Sequence, residues 1–514
     1  MTTRRLLATL ASLAVAAVTL TGCGPSGSDS SADGPVAENA AYDPNATIGI
    51  GSLYEPTSLS NVAGAGQGLT EAFYGNVYEA LFKLNDDGSV TNALADKATT
   101  SDDGRTITIT LVDGVKFHSG KSLTSADVVA SYERAIADDA QGSRKSIYKS
   151  SIASVTAPDA STVVFQLVEP WISFEYDMTY LWIVNTDAGD LKETEDGTGP
   201  YVFEGWVRGN SISLKRSNDY WGPAATNGEI VFHYFTDASA LSNALLSGEI
   251  DVIAALQSPD TLSQFEGNDD YVVNDSPSTT KELLAFNDHA APFDDTRVRR
   301  AIYSAIDRKK LLESIWGDHG MLVGSMVPPT DAWYVDLNAV NPYDPELSKK
   351  LLAEAGHADG FEFVLDTPTY DPHPAVAEFV KSELAKVGVT VDINLISADE
   401  WYSRVYEKHD FVATLQEHVN DRDLAFYARG RDMYFEWDDA DFIRLFNESE
   451  HAATLEDQTA KLVEANTLMA HEAASVWLYL YPQIVVSSAD VTGYPLHGLN
   501  SQFYASTIQK SERG

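Results

Sequence analysis

The strongest constraint on the fold is a regular alternation of helix and strand that begins near residue 345. Apolar spacing predicts helices over 345–355, 375–387 and 399–407, and apolar runs between them predict strands over 361–365, 389–396 and 411–415. Strands separated by helices are joined by crossovers, so they pair in parallel with helices packed on the sheet faces. This part of the chain is therefore expected to form a parallel-rich α/β layer.

The preceding part follows another rule. Thr106-Ile-Thr-Ile-Thr-Leu111 alternates with period two, while Asn85-Asp-Asp-Gly88 and Ser101-Asp-Asp-Gly104 are hairpin turns and Asp113-Gly114 turns into Val115-Lys-Phe117. Short strands are expected at 46–50 and 249–253, and a strand pair at 162–168 and 202–206 with 212–215 after it. Ala72, Phe73, Val77, Tyr78, Leu81 and Phe82 suit one helical face, and Thr124-Ser-Ala-Asp127 has capping-box spacing ahead of the stripe Val128, Val129, Tyr132, Ala135 and Ile136. A helix over 238–246 should stop at Gly248. Asp294-Asp295 should cap a helix that buries Val298, Ala301, Ile302, Ala305 and Ile306 and turns Arg297, Arg299 and Arg300 to water. A strand-rich first half and an alternating second half, in a chain of 514 residues, predict two unlike lobes rather than one core.

Composition narrows the function. At 44% hydrophobic and 22% charged the chain is globular, and 76 acids against 35 Lys plus Arg give a net charge of -41. That field excludes a general nucleic-acid binder, which needs a basic face to release counterions. Most of the acids are expected to form a solvated surface. One cysteine permits no intramolecular disulfide and no zinc site built on Cys pairs.

The cysteine follows a leader-like segment: Arg4-Arg5, an apolar run from Leu6 to Leu20, then Leu20-Thr21-Gly22-Cys23. The run is too short for the roughly 30 Å hydrocarbon layer of a bilayer. Basic start, apolar core and lone Cys in this register resemble the signal peptide and lipobox of bacterial lipoproteins. The resemblance implies removal of residues 1–22 and lipidation of Cys23 as the new N-terminus, with 23–44 a flexible Gly/Ser-rich tether. No other stretch reaches about 18 uninterrupted apolar residues, so lipid would be the membrane attachment.

Signatures of catalysis do not appear in sequence. His-Glu-x-x-His, Gly-x-Ser-x-Gly and Walker A patterns are missing, Gly64-Ala-Gly66-Gln-Gly68 has loop spacing rather than dinucleotide spacing, and Gly197-Thr-Gly-Pro-Tyr201 is a tight turn. His118, His233, His289, His319, His357 and His373 are scattered singly and are expected at the surface or satisfied in a core. Asp438, Asp439 and Asp441 lack calcium-loop spacing. No catalytic residue, cofactor or metal site is assigned.

Several segments together resemble the extracytoplasmic solute-binding proteins of ABC importers for dipeptides, oligopeptides and nickel, family 5. They are Val77-Tyr-Glu-Ala-Leu-Phe82, Gly114-Val-Lys-Phe-His-Ser-Gly120 running into Leu123-Thr-Ser-Ala-Asp-Val128, Gly197-Thr-Gly-Pro-Tyr201, Leu283-Leu-Ala-Phe-Asn287 with Val298-Arg-Arg-Ala-Ile302, and Ala305-Ile-Asp307. The resemblance spans about 46–505 and implies an α/β, two-lobe periplasmic-binding-protein-like clamp, joined by crossing strands at 283–287 and 476–484, with an extra subdomain in lobe 1. Lobe 1 would be 45–283 plus 475–514, with an inserted subdomain at about 72–194, and lobe 2 would be 284–474.

In such proteins an acid in the loop after the strand corresponding to 411–415 often holds the ligand amine. That implies Asp421 or Asp423 as the anchor, with Glu417, His418 and Asn420 beside it, and Tyr54 and Trp333 as aromatic walls. The resemblance implies a monomeric, lipid-anchored receptor on the outer face of the membrane that passes a peptide to ABC permease subunits. A sugar, an opine-like conjugate or a metal chelate is the alternative ligand, nickel being the weakest because the 416–424 loop offers no ligand cluster. A secreted lipoprotein hydrolase is the remote alternative.

The leader reading has a direct test. Cys23→Ser is expected to move the protein from the detergent phase to the aqueous phase on phase partition, and to abolish the lipid mass on the mature N-terminus.

Overall fold

The computed structural model describes residues 41–63, 66–142, 144–497 and 502–511, so the expectations for the leader, Cys23 and most of the tether lie outside the described residues. Ten strands form the main sheet: β1 (Thr47–Ser52), β2 (Tyr201–Val207), β3 (Ser211–Arg216), β4 (Glu229–Tyr234), β5 (Val252–Ile253), β6 (Tyr271–Phe286), β7 (Glu362–Pro368), β8 (Thr390–Ile396), β9 (Ala413–His418) and β10 (Ser475–Ser488). Their order is β2-β3-β4-β1-β5-β10-β6-β9-β7-β8. As the alternation predicts, β7 pairs in parallel with both β8 and β9. At the other end β1 pairs in parallel with β4 and β5, and the remaining ladders, including β6 with β10, are antiparallel.

The long central strands explain the layering. β10 is buried at every position but Gln483, the pattern of a strand covered on both faces. Six helices matter below: α1 (Gln67–Phe73), α2 (Ser125–Ala135), α3 (Ala238–Ser247), α4 (Thr296–Ala305), α5 (Pro345–Glu354) and α6 (His373–Ala385). The capping box opens α2, where Asp127 accepts the Thr124 N–H at 2.9 Å, and Gly248 ends α3 in the left-handed conformation at φ 75°.

Four expectations need correction. The strands at 162–168 and 202–206 exist but are not a pair. Thr162–Leu167 lies in a separate four-stranded sheet between Thr106–Leu111 and Ile152–Asp159, while β2 pairs with β3. Val163, Phe165 and Leu167 share a core with Ile107 and Ile109, and that apolar face selects the partner. The helical face proposed for 72–82 ends at Phe73, because Tyr74 is extended and Gly75 turns at φ 69°. The predicted helix over 399–407 is one short turn, Ala398–Glu400, continued as a π-helix over Trp401–Tyr406. Within it Trp401 is buried and its Nε1 donates to Thr414 Oγ1 on β9 at 3.0 Å, which anchors the wider turn.

The fourth correction is Arg299. Instead of facing water it is buried on α4, with Nε 3.0 Å from Asp288 Oδ1, and it donates to the carbonyls of Phe293 and Ala473. Its guanidinium thus closes several backbone acceptors that would otherwise be orphaned. Arg299→Met is expected to lower unfolding free energy by about 3–5 kcal/mol, because Asp288 would remain as an uncompensated buried charge. Urea denaturation should show a lower midpoint with an unchanged slope.

Candidate functional site

The site lies where the β6/β10 ladder breaks. Pro277 stands opposite Pro482, and the register slips between Pro277 and Lys281. Proline has no N–H to donate, so the ladder cannot run through this point. Ser278, Thr279 and Thr280 leave it and bond locally: Ser278 Oγ donates to Tyr481 O at 2.8 Å and Thr279 Oγ1 to Val419 O at 2.6 Å. These residues, with Tyr481 and Pro482, form part of the wall of a cavity of about 400 Å³. A second cavity of about 290 Å³ shares Gln67, Val419 and Gln502 with it.

The two compartments carry opposite charges. Among the described residues the larger is lined by Glu71, Asp371 and Glu417 and by no Lys, Arg or His, whereas the smaller is lined by Arg144 and Lys145 and by no acid. Arg144 is held in place: its Nε is 3.3 Å from Asp177 Oδ1 and its guanidinium lies 4.2 Å from the Tyr180 ring centre. Lys145 Nζ is spent on the carbonyls of Asp138 and Ala140.

Two carboxylates of the larger compartment, Glu71 and Glu417, are raised above their ordinary range by burial. Glu71, on α1, accepts from Ser52 Oγ, which lowers it, yet loss of water takes it up to about 7. Glu417, on β9, is raised by burial and further by Glu282. Glu282 is its direct cross-strand neighbour on β6 and is wholly buried. It accepts the Tyr481 hydroxyl at 2.5 Å, its Oε1 has no hydrogen-bond partner, and burial pushes it to about 8. His373, the first residue of α6, is also wholly buried; its Nε2 is 3.6 Å from Glu282 Oε2 and makes no hydrogen bond. Burial lowers its pKa, so the ring is neutral.

The structure distributes the sequence-predicted residues over three places. Tyr54 and Glu417 line the larger compartment and Asn420 the smaller. Trp333, His418, Asp421 and Asp423 lie deeper, outside both linings. Asp423 is wholly buried against Lys281, Oδ2 to Nζ 2.6 Å, and burial still takes its carboxyl up to about 6. His418 Nε2 is 2.8 Å from Tyr434 Oη, and burial beside Lys281 drives its pKa down to about 3. Asp421 accepts the Tyr176 hydroxyl at 2.7 Å. Arg422, at φ 51°, lays its guanidinium 3.6 Å from the Tyr176 ring centre and 5.2 Å from that of Trp333. This cluster ties the 170–180 segment to the 416–424 loop. Ile172 N donating to Glu450 O at 3.0 Å and Gln458 Nε2 donating to Ser173 Oγ at 3.0 Å extend that contact.

Sequence reasoning missed Glu71, Glu282, Tyr370, His373 and Arg144. One signal was present: Lys281-Glu282 directly precedes the apolar buried run Leu283-Leu-Ala-Phe286, and period two puts the two charges on opposite faces. Glu71 and Arg144 carry no such mark.

The raised carboxyls set a pH dependence. For a group whose folded pKa exceeds the unfolded one, the stabilisation is complete below the unfolded pKa and is lost as pH rises through the folded value. For Glu282 that window runs from 4.5 to about 8. Glu282→Gln is therefore expected to gain stability relative to the parent progressively across that window, read as a widening difference in melting temperature.

Comparison with known proteins places this architecture. A family model described as bacterial extracellular solute-binding proteins, family 5 middle, matches residues 89–452. The glutathione-binding protein GsiB of Salmonella typhimurium is 30% identical over 349 residues, covering 66% of this chain and 68% of that protein. Among solved structures, DppA from Helicobacter pylori in complex with the peptide STSA superposes with a TM-score of 0.78 at 23% identity, covering 91% of this chain and 98% of that one. NikA from Brucella suis in complex with Fe(III)-EDTA gives a TM-score of 0.80 at 20% identity, covering 91% and 100%. At these identities the structural matches establish the fold, a mixed α/β two-lobe binding-protein architecture.

Proposed function

The chain belongs to family 5 of the bacterial extracellular solute-binding proteins, and on that basis we propose that it captures a peptide beside Pro277 and Pro482 and delivers it to the permease subunits of an ABC importer. The observation that carries the peptide reading is the division of charge between the two compartments. A peptide is a zwitterion whose charged ends are separated by amides. Taken out of water, its ammonium needs a carboxylate and its carboxylate needs an Arg fork or equivalent donors. In this reading Glu417 receives the ammonium and Arg144 the carboxylate, and Gln67, Gln257 and Gln502 serve the amides between. Asp421 and Asp423 are engaged by Tyr176 and Lys281 and act as supports. The larger cavity, about 400 Å³, falls in the range of about 300–1,000 Å³ common for small-ligand sites.

The clamp in this proposal has the lobes anticipated from sequence, 45–283 with 475–514 and 284–474, the former carrying the insertion at about 72–194. The broken ladder at Pro277 and Pro482 supports a hinge there, since few backbone hydrogen bonds oppose rotation at that point. The mature protein is a monomer held at the outer face of the membrane by lipid on Cys23. No helix among the described residues is long and apolar enough to cross a membrane, which is compatible with lipid as the anchor. The protein binds and releases without turnover.

Mass spectrometry of small molecules released on denaturing the purified protein should find peptides, and a free-amine peptide panel should raise the melting temperature. Release of sugars, opine-like conjugates or chelates, with no stabilisation by peptides, removes the peptide reading. Glu417→Gln is expected to weaken a free-amine peptide by about 2–4 kcal/mol in calorimetry and to erase the discrimination against its N-acetylated form.

A further inference from the structure

Glu417 lines the larger compartment, and its cross-strand neighbour Glu282 lies wholly buried beside it, outside the lining. Glu282 and Glu417 are directly opposed on β6 and β9, which sets their Cβ atoms about 5 Å apart on one face of the sheet. The groups facing them come from every packed element: His373, Asp371 and Tyr370 at the start of α6, Tyr479 and Tyr481 on β10, Tyr54 after β1, and Glu71 on α1. None is a lysine or arginine. Lys281, the nearest in sequence, points to the opposite face and is consumed by Asp423 and the Asn420 carbonyl. Two polar atoms beside this pair, Glu282 Oε1 and His373 Nε2, are fully buried and have no hydrogen-bond partner.

Two opposed carboxylates in a water-poor site without a counter-cation cannot both be ionised. From this geometry we propose that Glu282 and Glu417 hold one proton between them in the empty cleft, and that a ligand's primary ammonium or guanidinium displaces it. Ligand capture is thereby an exchange of one cation for another. The inference rests on the peptide reading and deepens it by making a free cationic group the obligatory part of the ligand. In the exchange the O–H bond of the shared carboxylic acid breaks, the proton passes to solvent, and the dyad gains one negative charge that the ligand cation neutralises through N–H donation. Burial already raises both acids, Glu282 to about 8, so the proton is present at neutral pH. It competes with the ligand, so affinity climbs with pH toward about 8, above which the peptide's own α-ammonium loses its proton and affinity falls again.

The test has a part without ligand and a part with it. The infrared spectrum of the empty protein at pH 7 is expected to show the C=O band of a protonated carboxyl that Glu282→Gln removes; a parent spectrum identical to that of the variant overturns the shared proton. For the second part, the free-amine member of a mixed-sequence peptide panel that most raises the melting temperature is titrated calorimetrically in phosphate and in Tris. The difference in heat is expected to report about one proton released per peptide at pH 7, passing through zero near pH 8 to net proton uptake at pH 9, where the free peptide's own amine is neutral and gains a proton on binding, with the N-acetylated form bound at least tenfold more weakly at pH 7. Wild-type protein alone carries this measurement, whether or not the variant folds. A peptide that binds without proton release overturns the exchange and leaves peptide capture standing. Failure of every free-amine probe to bind overturns both.

Discussion

The antiparallel pairing of β6 with β10, broken where Pro277 meets Pro482, is the constraint on which the rest of the molecule depends. In the sheet order, β2-β3-β4-β1-β5 lie beyond β10 and β9-β7-β8 lie beyond β6, so the two halves of the sheet join only through this pair. A ladder that ran unbroken would weld them. Because neither proline can donate, three residues are released from the ladder, and their hydroxyls and backbone become cavity wall. The proposed hinge and the proposed binding surface therefore share the same short stretch of chain.

Strand periodicity sets the electrostatics beside that break. Lys281 and Glu282 are adjacent in sequence and so face opposite sides of the sheet, where each needs its own partner. Lys281 finds Asp423 at 2.6 Å, and the result is a sealed ion pair that supports the 416–424 loop. Glu282 finds the Tyr481 hydroxyl, the His373 ring 3.6 Å away and a second acid, none of them a lysine or arginine. One face is closed by compensation and the other is left with a deficit of positive charge.

The segments that carry the family resemblance serve packing more than binding. A Cβ at Gly197 or Gly199 would come within 2.0 Å of Val77 O or 2.5 Å of Asn76 O, so the Gly-Thr-Gly turn is glycine because two backbones touch there. His118 from a second segment sits between Glu195 and the Gly199 carbonyl, and Thr198 donates to Glu79 of a third at 2.8 Å. These motifs lock into one another, which accounts for their reading clearly as a set while naming no ligand. Contacts between the 170–180 segment and the 416–424 loop, made through Tyr176, Asp421 and Arg422, have no counterpart in any local pattern.

The alternation after residue 345, the strand Thr106–Leu111, the capping box at Thr124 and the stop at Gly248 were all legible because each depends on neighbours within a few residues. So was the pair of crossing strands, through the resemblance. Strand partners were not: Thr162–Leu167 chooses its sheet by which apolar face it shares, and sequence spacing carries no record of that. The fate of charges was equally hidden. Arg299 reads as solvated and is buried; Asp423 reads as a ligand anchor and is tied to Lys281; Glu71 carries no mark in the sequence and lines the cavity. The sequence by itself determined the fold class and the positions of its turns and caps, since these follow from local backbone preference and periodicity. Only the tertiary structure decided which carboxylates are neutralised and which are left facing a cavity, because that depends on what long-range packing brings against them.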